Sequence, residues 1–479
     1  MNYVELSQWL ERLPKPGPWE AHEVRHEIES VFVATQSAID IAAGLLDMMR
    51  LAATVQDPRV LENRLRVTRV VDVLRRDGSM RESAPDVCLA IGMCIIGLTG
   101  VGKSRSVSRV LNSIPQVVEH EQDAASLTVY LKQVVHLTVH MSGDGTPAAF
   151  FIGALMALDS ALGTTYWEDA KKSRPGVNSL MVIFMSKLML HRVLLLVVEE
   201  AQERNLDGTR YQVLFRGLFL QLLNCGIPVV LIGNPSGIKP LLSSSQLRRR
   251  LTQGGEHRLH PVFQWQSPEW RLDLVPTIWV ASPFAEPDEV WCTDDELCEY
   301  LWRNTGGFKS HLASWRVVAV KIALREGSHR VERSHITRAL VHPEYLGNRP
   351  LSEAFAERNV TKLREFTDTD AEEYADILLE LAAAEAAAAS GACEAQACQG
   401  TPEQRSGVER ESDEIRTSKV TPERPVPGDK SRRSAETVRA PRSKSRTASA
   451  GRSEVPDGLS PDDVRSDAWL GRLPKRADE

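Results

Sequence analysis

The sequence is poor in several features that mark whole protein classes. It has 7 cysteines in 479 residues, and only Cys292/Cys298 and Cys393/Cys398 lie close together. Neither pair has zinc-ribbon spacing or companion histidines, so the expectation is free thiols in a reducing compartment rather than a disulfide scaffold or zinc finger. There is no excess of positive charge: 58 Lys+Arg against 64 Asp+Glu give a formal net charge of -6. That excludes a uniformly basic nucleic-acid binder but leaves room for a local basic strip, because binding follows the local field. Long hydrophobic runs are missing too. The most apolar stretch, Leu180 to Val198, is interrupted by Lys187, His191 and Arg192, and falls short of a membrane span. Met1 to Leu10 is polar and acidic and does not read as a secretory leader. The expectation is a soluble, cytoplasmic protein with no membrane partner.

What is present suits a folded chain of two or three domains, with 42% hydrophobic and 25% charged residues. Residues 1–85 read as a helical region, with apolar positions three and four apart across Val31-Phe32, Ile39, Leu45-Leu46 and Met49. A second helix is expected after Asp57-Pro58, and Gly78-Ser79 and Pro85 mark a boundary. From 86 to 267 the pattern changes. Short apolar runs (Val87 to Ile96, Val134 to Val139, Val193 to Val198, Pro228 to Ile232) alternate with amphipathic stretches at 103–113, 147–163, 178–190 and 209–224. Val/Ile/Leu-rich strands separated by helices predict an α/β fold: a parallel sheet covered by helices on both faces. Residues 268–350 read as a helical lid, and 351–390 as a helical extension. Residues 391–479 read as a disordered tail, because Ser, Pro, Gly, Arg, Glu and Ala in 391–465 bury too little to offset ordering entropy. A basic block occupies 430–446. A heptad near the start, Trp9-Leu10-Glu11-Arg12-Leu13-Pro14-Lys15, recurs as Trp469-Leu470-Gly471-Arg472-Leu473-Pro474-Lys475, which reads as a docking motif or as coincidence.

Chemistry is concentrated in the α/β region. Gly97-Leu98-Thr99-Gly100-Val101-Gly102-Lys103-Ser104 satisfies G-x-x-x-x-G-K-[ST] and lies between an apolar strand and a helix beginning at Arg105. Such a loop turns backbone N–H groups toward phosphates at a helix N-terminus. Lys103 would neutralise the β- and γ-phosphates of ATP, and Ser104 would ligate Mg²⁺. Gly97, Thr99, Gly100, Val101, Gly102, Lys103, Ser104 and Arg105 are therefore the candidate nucleotide-binding residues. Leu195-Leu196-Val197-Val198-Glu199-Glu200 has the form of a strand ending in two acids. Glu199 is the candidate metal residue, where aspartate is usual, and Glu200 the candidate general base. The extra methylene of Glu199 predicts either slow hydrolysis or a shifted strand end. The next strand ends in Gly233-Asn234-Pro235, and Asn234 is placed to sense the γ-phosphate. Arg248-Arg249-Arg250 follows, and Arg249 or Arg250 is the candidate to reach a neighbouring subunit's phosphate.

These residues carry a resemblance. The stretch Gln133 to Tyr166 (QVVHLTVHMSGDGTPAAFFIGALMALDSALGTTY), then VVEEAQ, GIPVVLIGNP and LRRRLTQGG, resembles the TnsC/TniB group of AAA+ ATPases over roughly 85–350. These regulate transposition in Tn-seven-like bacterial transposons. The resemblance implies a P-loop NTPase core of AAA+ type, ATP-dependent binding of double-stranded DNA, and a homo-oligomeric ring or filament. It further implies contacts with a target-selector protein or complex and with transposase subunits. The Walker lysine falls on Lys103, the catalytic acid on Glu200 and the sensor asparagine on Asn234. Around Gly307-Phe308-Lys309, where a sensor-2 arginine is sought, only Lys309 is found. The DNA-facing insertion of the group falls on about 114–132, with Lys132 and Thr128 as DNA-binding candidates. A replication-initiator or helicase-loader AAA+ protein and a non-hydrolysing nucleotide-dependent scaffold are the rival readings.

Overall fold

In the computed structural model, the described residues are 2–15, 18–77, 90–121, 130–141, 145–201, 209–366 and 369–383. Thr128, the boundary at 78–85, the basic block, the tail 391–479 and the second Trp-Leu heptad lie outside them.

Strands β1 (Gly92–Gly97), β4 (Leu137–His140), β5 (Leu196–Ala201), β6 (Val229–Gly233) and β7 (Glu256–Leu259) form a five-stranded sheet in the order β4-β5-β6-β1-β7. Every pairing in it is parallel. Strands β2 (Val117–His120) and β3 (Leu131–Val134) form a separate antiparallel hairpin. The order matters for function, because β6 lies between the P-loop strand and the acid strand, so its tip faces both.

The period-2 alternation of the strands sorts their side chains into two cores. Cys94 and Ile96 of β1, Leu196 and Val198 of β5, and Val229 and Leu231 of β6 pack with Phe150, Phe184 and Phe215 from helices Pro147–Leu162, Val177–Leu190 and Thr209–Asn224. Met93 and Ile95, Leu195 and Val197, and Val230 and Ile232 face the other way, onto Val107 and Val110 of helix Lys103–Leu111 and Ile41, Leu45 and Met48 of helix Gln36–Gln56. This is the parallel α/β fold covered on both faces that the strand pattern predicts. The N-terminal helices do not stand apart from it. Gln36–Gln56 covers one face, while Val67, Val70 and Leu74 of Leu61–Asp77 enter the core on the other.

Two strand features escape the sequence pattern. The edge strand β7 (EHRL) is polar and four residues long, and the hairpin strands are equally short. Strands of that length show too few alternations to stand out from a loop.

The lid begins with a π-helix at Glu269–Trp279 and continues through helices Asp294–Thr305, Lys309–Arg325 and Arg333–Ala339. Asp294–Thr305 opens on a capping box, Thr293 with Glu296, and closes on Gly306 at φ +58°. A third core, containing Trp270, Trp279, Trp315 and Tyr345, fills the lid and takes in Val24, Ile28 and Val31 from near the N-terminus. After the lid, Phe355, Leu363, Tyr374 and Leu378 pack back on the core that holds the P-loop helix. Lys239–Asp370 at 2.9 Å and the Arg258–Glu373 contact tie that segment to the sheet side.

Candidate functional site

The P-loop runs from the end of β1 into helix Lys103–Leu111. Gly100 and Gly102 have φ of +91° and +103°, a region costly for any residue with a Cβ. A Cβ on Gly100 would also lie 2.4 Å from Ser310 Oγ. Ser310 N donates to Gly100 O at 3.3 Å, so the first turn of lid helix Lys309–Arg325 sits directly against the loop. Lys103 Nζ donates to Gly97 O and Leu98 O, each at 2.7 Å, and to Asn234 Oδ1 at 3.3 Å. The P-loop lysine and the tip of β6 are therefore in contact, as the strand order requires.

A cavity of about 390 Å³ opens over this loop, within the range of small-molecule sites. Thr99 to Ser106 form its floor, and Glu200 and Asn234 close one end. Leu274, Ile278 and Lys309 come from the lid, and Val31, Phe32 and Thr35 from the N-terminal segment. Arg105 reaches across the wall, donating from Nη2 to Val31 O at 2.9 Å. Burial pushes its guanidinium below the usual range, against a smaller opposing pull from Glu29. It thus lines the cavity while holding the N-terminal wall in place.

The two acids part company. Glu200 lines the cavity and is the one carboxylate among the described residues that does so. Glu199 is buried, and its carboxylate lies 3.9 Å from His140 Nδ1, on the residue paired with it in β4. The cause is a register shift: Val198 pairs with Leu231 but Ala201 pairs with Gly233, so β5 carries one residue more than β6. This bulge places Glu200 at φ +58° and turns it out of the strict alternation. The sequence expectation that Glu199 is the metal residue is not met by geometry: Glu200 lines the cavity with Ser104, and Glu199 does not. No group of three or more His, Cys, Asp or Glu suited to a metal occurs among the described residues. A divalent ion here would be held by the Ser104 hydroxyl and completed by phosphate oxygens and water, with the Glu200 carboxylate accepting from one of those waters, which suits Mg²⁺.

None of the three arginines lines the cavity. Arg250 Nη1 donates to Asn224 Oδ1 at 2.5 Å, and burial lowers its pKa. Arg248 pairs with Glu256 at 3.4 Å. Arg249 is exposed, with no ion pair or hydrogen bond among the described residues. Of the two candidates, Arg250 is committed to its own subunit and Arg249 points outward.

Lys309, weak on sequence grounds, belongs to the site. Its ammonium lies 2.8 Å from Glu269 Oε1 and donates to Thr35 Oγ1 at 3.3 Å, linking lid, P-loop wall and N-terminal segment. Thr35, Val31 and Phe32 had no motif to announce them. The DNA candidate Lys132 sits on β3, 3.6 Å from Glu119, which also accepts from Tyr130 Oη at 2.9 Å. Its charge is therefore partly offset within the hairpin.

Residues 91–242 match a family model described as an AAA domain. This stretch is an AAA domain. Its bounds run from the P-loop strand past β6, so they enclose the loop, both acids and Asn234. No curated protein matches the chain. Among solved structures, the Aeropyrum pernix ORC1 protein in complex with DNA is 20% identical with a TM-score of 0.34, covering 59% of this chain and 65% of that one. Drosophila ORC bound to DNA is 15% identical with a TM-score of 0.34, covering 71% and 65%. A Walker-type ATPase of Pyrococcus abyssi is 15% identical with a TM-score of 0.32, covering 61% and 75%. The chain spans under two thirds of the length of both ORC structures. Likeness at these values says nothing of function. Among the described residues, no helix is long and apolar enough to cross a membrane.

The stretch that carries the transposon-regulator resemblance has a structural task. Helix Pro147–Leu162 stops at Gly163, φ +70°. Asp159 then accepts from Thr164 Oγ1 (2.6 Å), Tyr166 N (2.7 Å) and Trp167 N (2.9 Å), capping the next helix. Tyr166 Oη contacts His191 Nε2 at 2.7 Å, and Lys187 lies 3.9 Å above the Tyr166 ring. This motif anchors the AAA domain's far face rather than touching the cavity.

Proposed function

We propose that this chain is an ATP-dependent, DNA-binding AAA+ regulator of transposition, which assembles on target DNA and links a target selector to transposase. The observation that carries the nucleotide part is the contact of Lys103 with Asn234 beneath a cavity closed by Glu200 and by the lid's Lys309. In this reading the adenine lies against Val31 and Phe32, and the phosphates lie over Gly100 to Ser104. Ser104 would hold Mg²⁺ with phosphate oxygens and water, and the ion would supply neutralisation of the developing charge. Glu200 orients and deprotonates the attacking water, Asn234 positions the γ-phosphate, and Lys309 reports its presence to the lid. Arg249 completes the site of a neighbouring copy. The transposition part rests on the Gln133 to Tyr166 block, the VVEEAQ, GIPVVLIGNP and LRRRLTQGG segments, and their order.

After the lid, the described residues form helices Arg349–Ala356, Val360–Leu363 and 371–383, of which Phe355, Leu363 and Tyr374 pack onto the AAA core. No winged-helix DNA reader occurs among them. The deciding experiment measures ATP turnover and assembly with duplex DNA and a non-hydrolysable ATP analogue, followed by pull-down of transposase. Nucleotide-dependent rings or filaments on duplex DNA that retain transposase are expected. Assembly on DNA that retains a replicative helicase instead would overturn the transposition reading.

A further inference from the structure

The recurring heptad points to a second occupant for a seat that the structure shows filled. The first copy, Trp9 to Lys15, closes a short helix, Tyr3–Leu10, whose N-cap is Asn2, accepting from Glu5 N at 2.9 Å. Leu10 is buried in the core beneath the P-loop helix, and Trp9 packs against the same core. The helix's C-terminal carbonyls are gathered by one side chain from the P-loop helix. Arg109 donates to Leu10 O at 2.6 Å, Glu11 O at 3.1 Å and Trp9 O at 3.3 Å. A cation there answers the negative end of the helix. Beyond it, Arg12 pairs with Phe32 in a two-bond antiparallel bridge, N to O at 3.1 Å and O from N at 2.8 Å. The seat therefore reads backbone, two leucines (Leu6 and Leu10) and one tryptophan. The second copy repeats the tryptophan and the second of these leucines.

Aligned on the heptad, Trp469 to Lys475 differs from the first copy only in Gly471 for Glu11. Glu11 is exposed and sits at the helix C-cap, where its contribution to the seat is backbone, so glycine is tolerated. Upstream, Asp462 falls on the N-cap position held by Asn2, and both are favoured caps. Three differences weaken the second copy: Arg465 replaces Glu5, whose carboxylate accepts from Asn2 N at 2.9 Å in the capping box, and two more follow. Ser466 replaces buried Leu6, and Asp463 replaces Tyr3, whose hydroxyl donates to Asp40 at 3.0 Å. We propose that the segment Asp462–Lys475 exchanges with Asn2–Lys15 on the seat formed by Arg109, Phe32 and the core beneath the P-loop helix.

The tethers set the balance. The first copy is joined to Phe32 by a short connection, so its effective concentration is high and it wins in a resting chain. The second copy is joined to the rest of the chain by a far longer connection, residues 384–461, so its effective concentration at its own seat is lower. The weaker copy gains wherever many chains are held side by side, as each seat then meets its neighbours' segments. Exchange would bind neighbouring copies together. It would also act on the cavity wall, because Phe32 belongs to both the bridge and the wall. The exchange itself does not depend on what the cavity binds.

The test uses the full chain carrying Trp469→Ala and Leu470→Ala, which disables its own second copy, and a fluorescein-labelled peptide of residues 460–479. Adding Leu10→Ala, which loosens the resident copy, is expected to tighten peptide binding about tenfold or more. Excess unlabelled peptide of residues 2–15 should displace the probe, and a probe with Trp469→Ala and Leu470→Ala should not bind. Equal binding with and without Leu10→Ala, no binding to either, or no displacement by the 2–15 peptide overturns the proposal. If melting curves show that Leu10→Ala unfolds the chain, a photo-crosslinker at position 469 of the otherwise unaltered chain decides. Label on peptides containing Phe32 or Arg109 sustains the exchange, and label found only elsewhere refutes it. The mass of the product separates a chain seating its own segment from one seating a neighbour's.

Discussion

The two ends of the nucleotide cleft are shaped by opposite means. At the β1 end, glycines adopt the left-handed backbone at no steric cost, with Gly100 at φ +91° and Gly102 at φ +103°. At the β5 end the same region of φ is occupied by Glu200, at φ +58°, a residue for which it costs about 1–3 kcal/mol. The β1 end is a low-strain cradle that many backbone N–H groups share. The β5 end is a single side chain aimed by a bulge. Damage to the first should weaken binding, whereas damage to the second should stop chemistry while leaving binding intact.

The sharpest break of that contrast is Glu200→Gln. Loss of the base should lower ATP turnover about 10²–10⁴-fold with nucleotide affinity unchanged, measured by turnover and by equilibrium binding of a fluorescent ATP analogue. A mutant that hydrolyses at the wild-type rate would place the base elsewhere. Next comes Arg249→Ala, which tests whether the cleft is completed from outside. It should reduce turnover of the assembled protein by about 10³-fold and leave ATP binding by the isolated chain alone. Arg250→Ala should instead lower thermal stability through its lost contact with Asn224. Mixing Arg249→Ala with Glu200→Gln subunits should restore activity at mixed interfaces.

Lys103→Ala attacks the cradle. Removing the ammonium from the β/γ-phosphate position should weaken ATP binding by about 10²–10³-fold, and titration calorimetry would show it. Smaller still is Glu200→Gly. Relief of the left-handed glutamate should raise unfolding free energy by about 1 kcal/mol in denaturant melts while abolishing turnover. A destabilised Glu200→Gly protein would mean that the carboxylate contributes more to the fold than its backbone strain costs. The smallest effect is expected from Glu199→Asp. Because Glu199 faces His140 rather than the cavity, turnover should stay within about twofold of wild type, as expected of a substitution remote from bound nucleotide. A large rise in turnover would return Glu199 to the metal site.

Much of the site was legible in the sequence because its motifs depend on local backbone needs. A glycine-rich turn between a strand and a helix admits few alternatives, and a polar residue after a buried strand must lie at the strand's tip. Lys103, Ser104 and Asn234 were found on those grounds and meet around one cavity. Lys309, Thr35 and Phe32 were not legible as a set. They come from the lid and the N-terminal segment, and only packing brings them to the P-loop. Strand β7 and the β2–β3 hairpin were missed because four-residue polar strands carry too little pattern.

The sequence by itself determined the parallel α/β architecture, the phosphate loop and the strand ends where polar groups emerge. Each follows from periodicity or from backbone conformations that few residues can adopt. Only the tertiary structure decided which acid enters the cavity and which arginine remains outward. Alternation along β5 assigns neighbouring residues to opposite faces, and a single extra residue in one strand reverses that assignment. Arg249 and Arg250 are adjacent and chemically identical. The packing of helix Ser245–Leu251 against Asn224 separates them, a contact between residues distant in the chain.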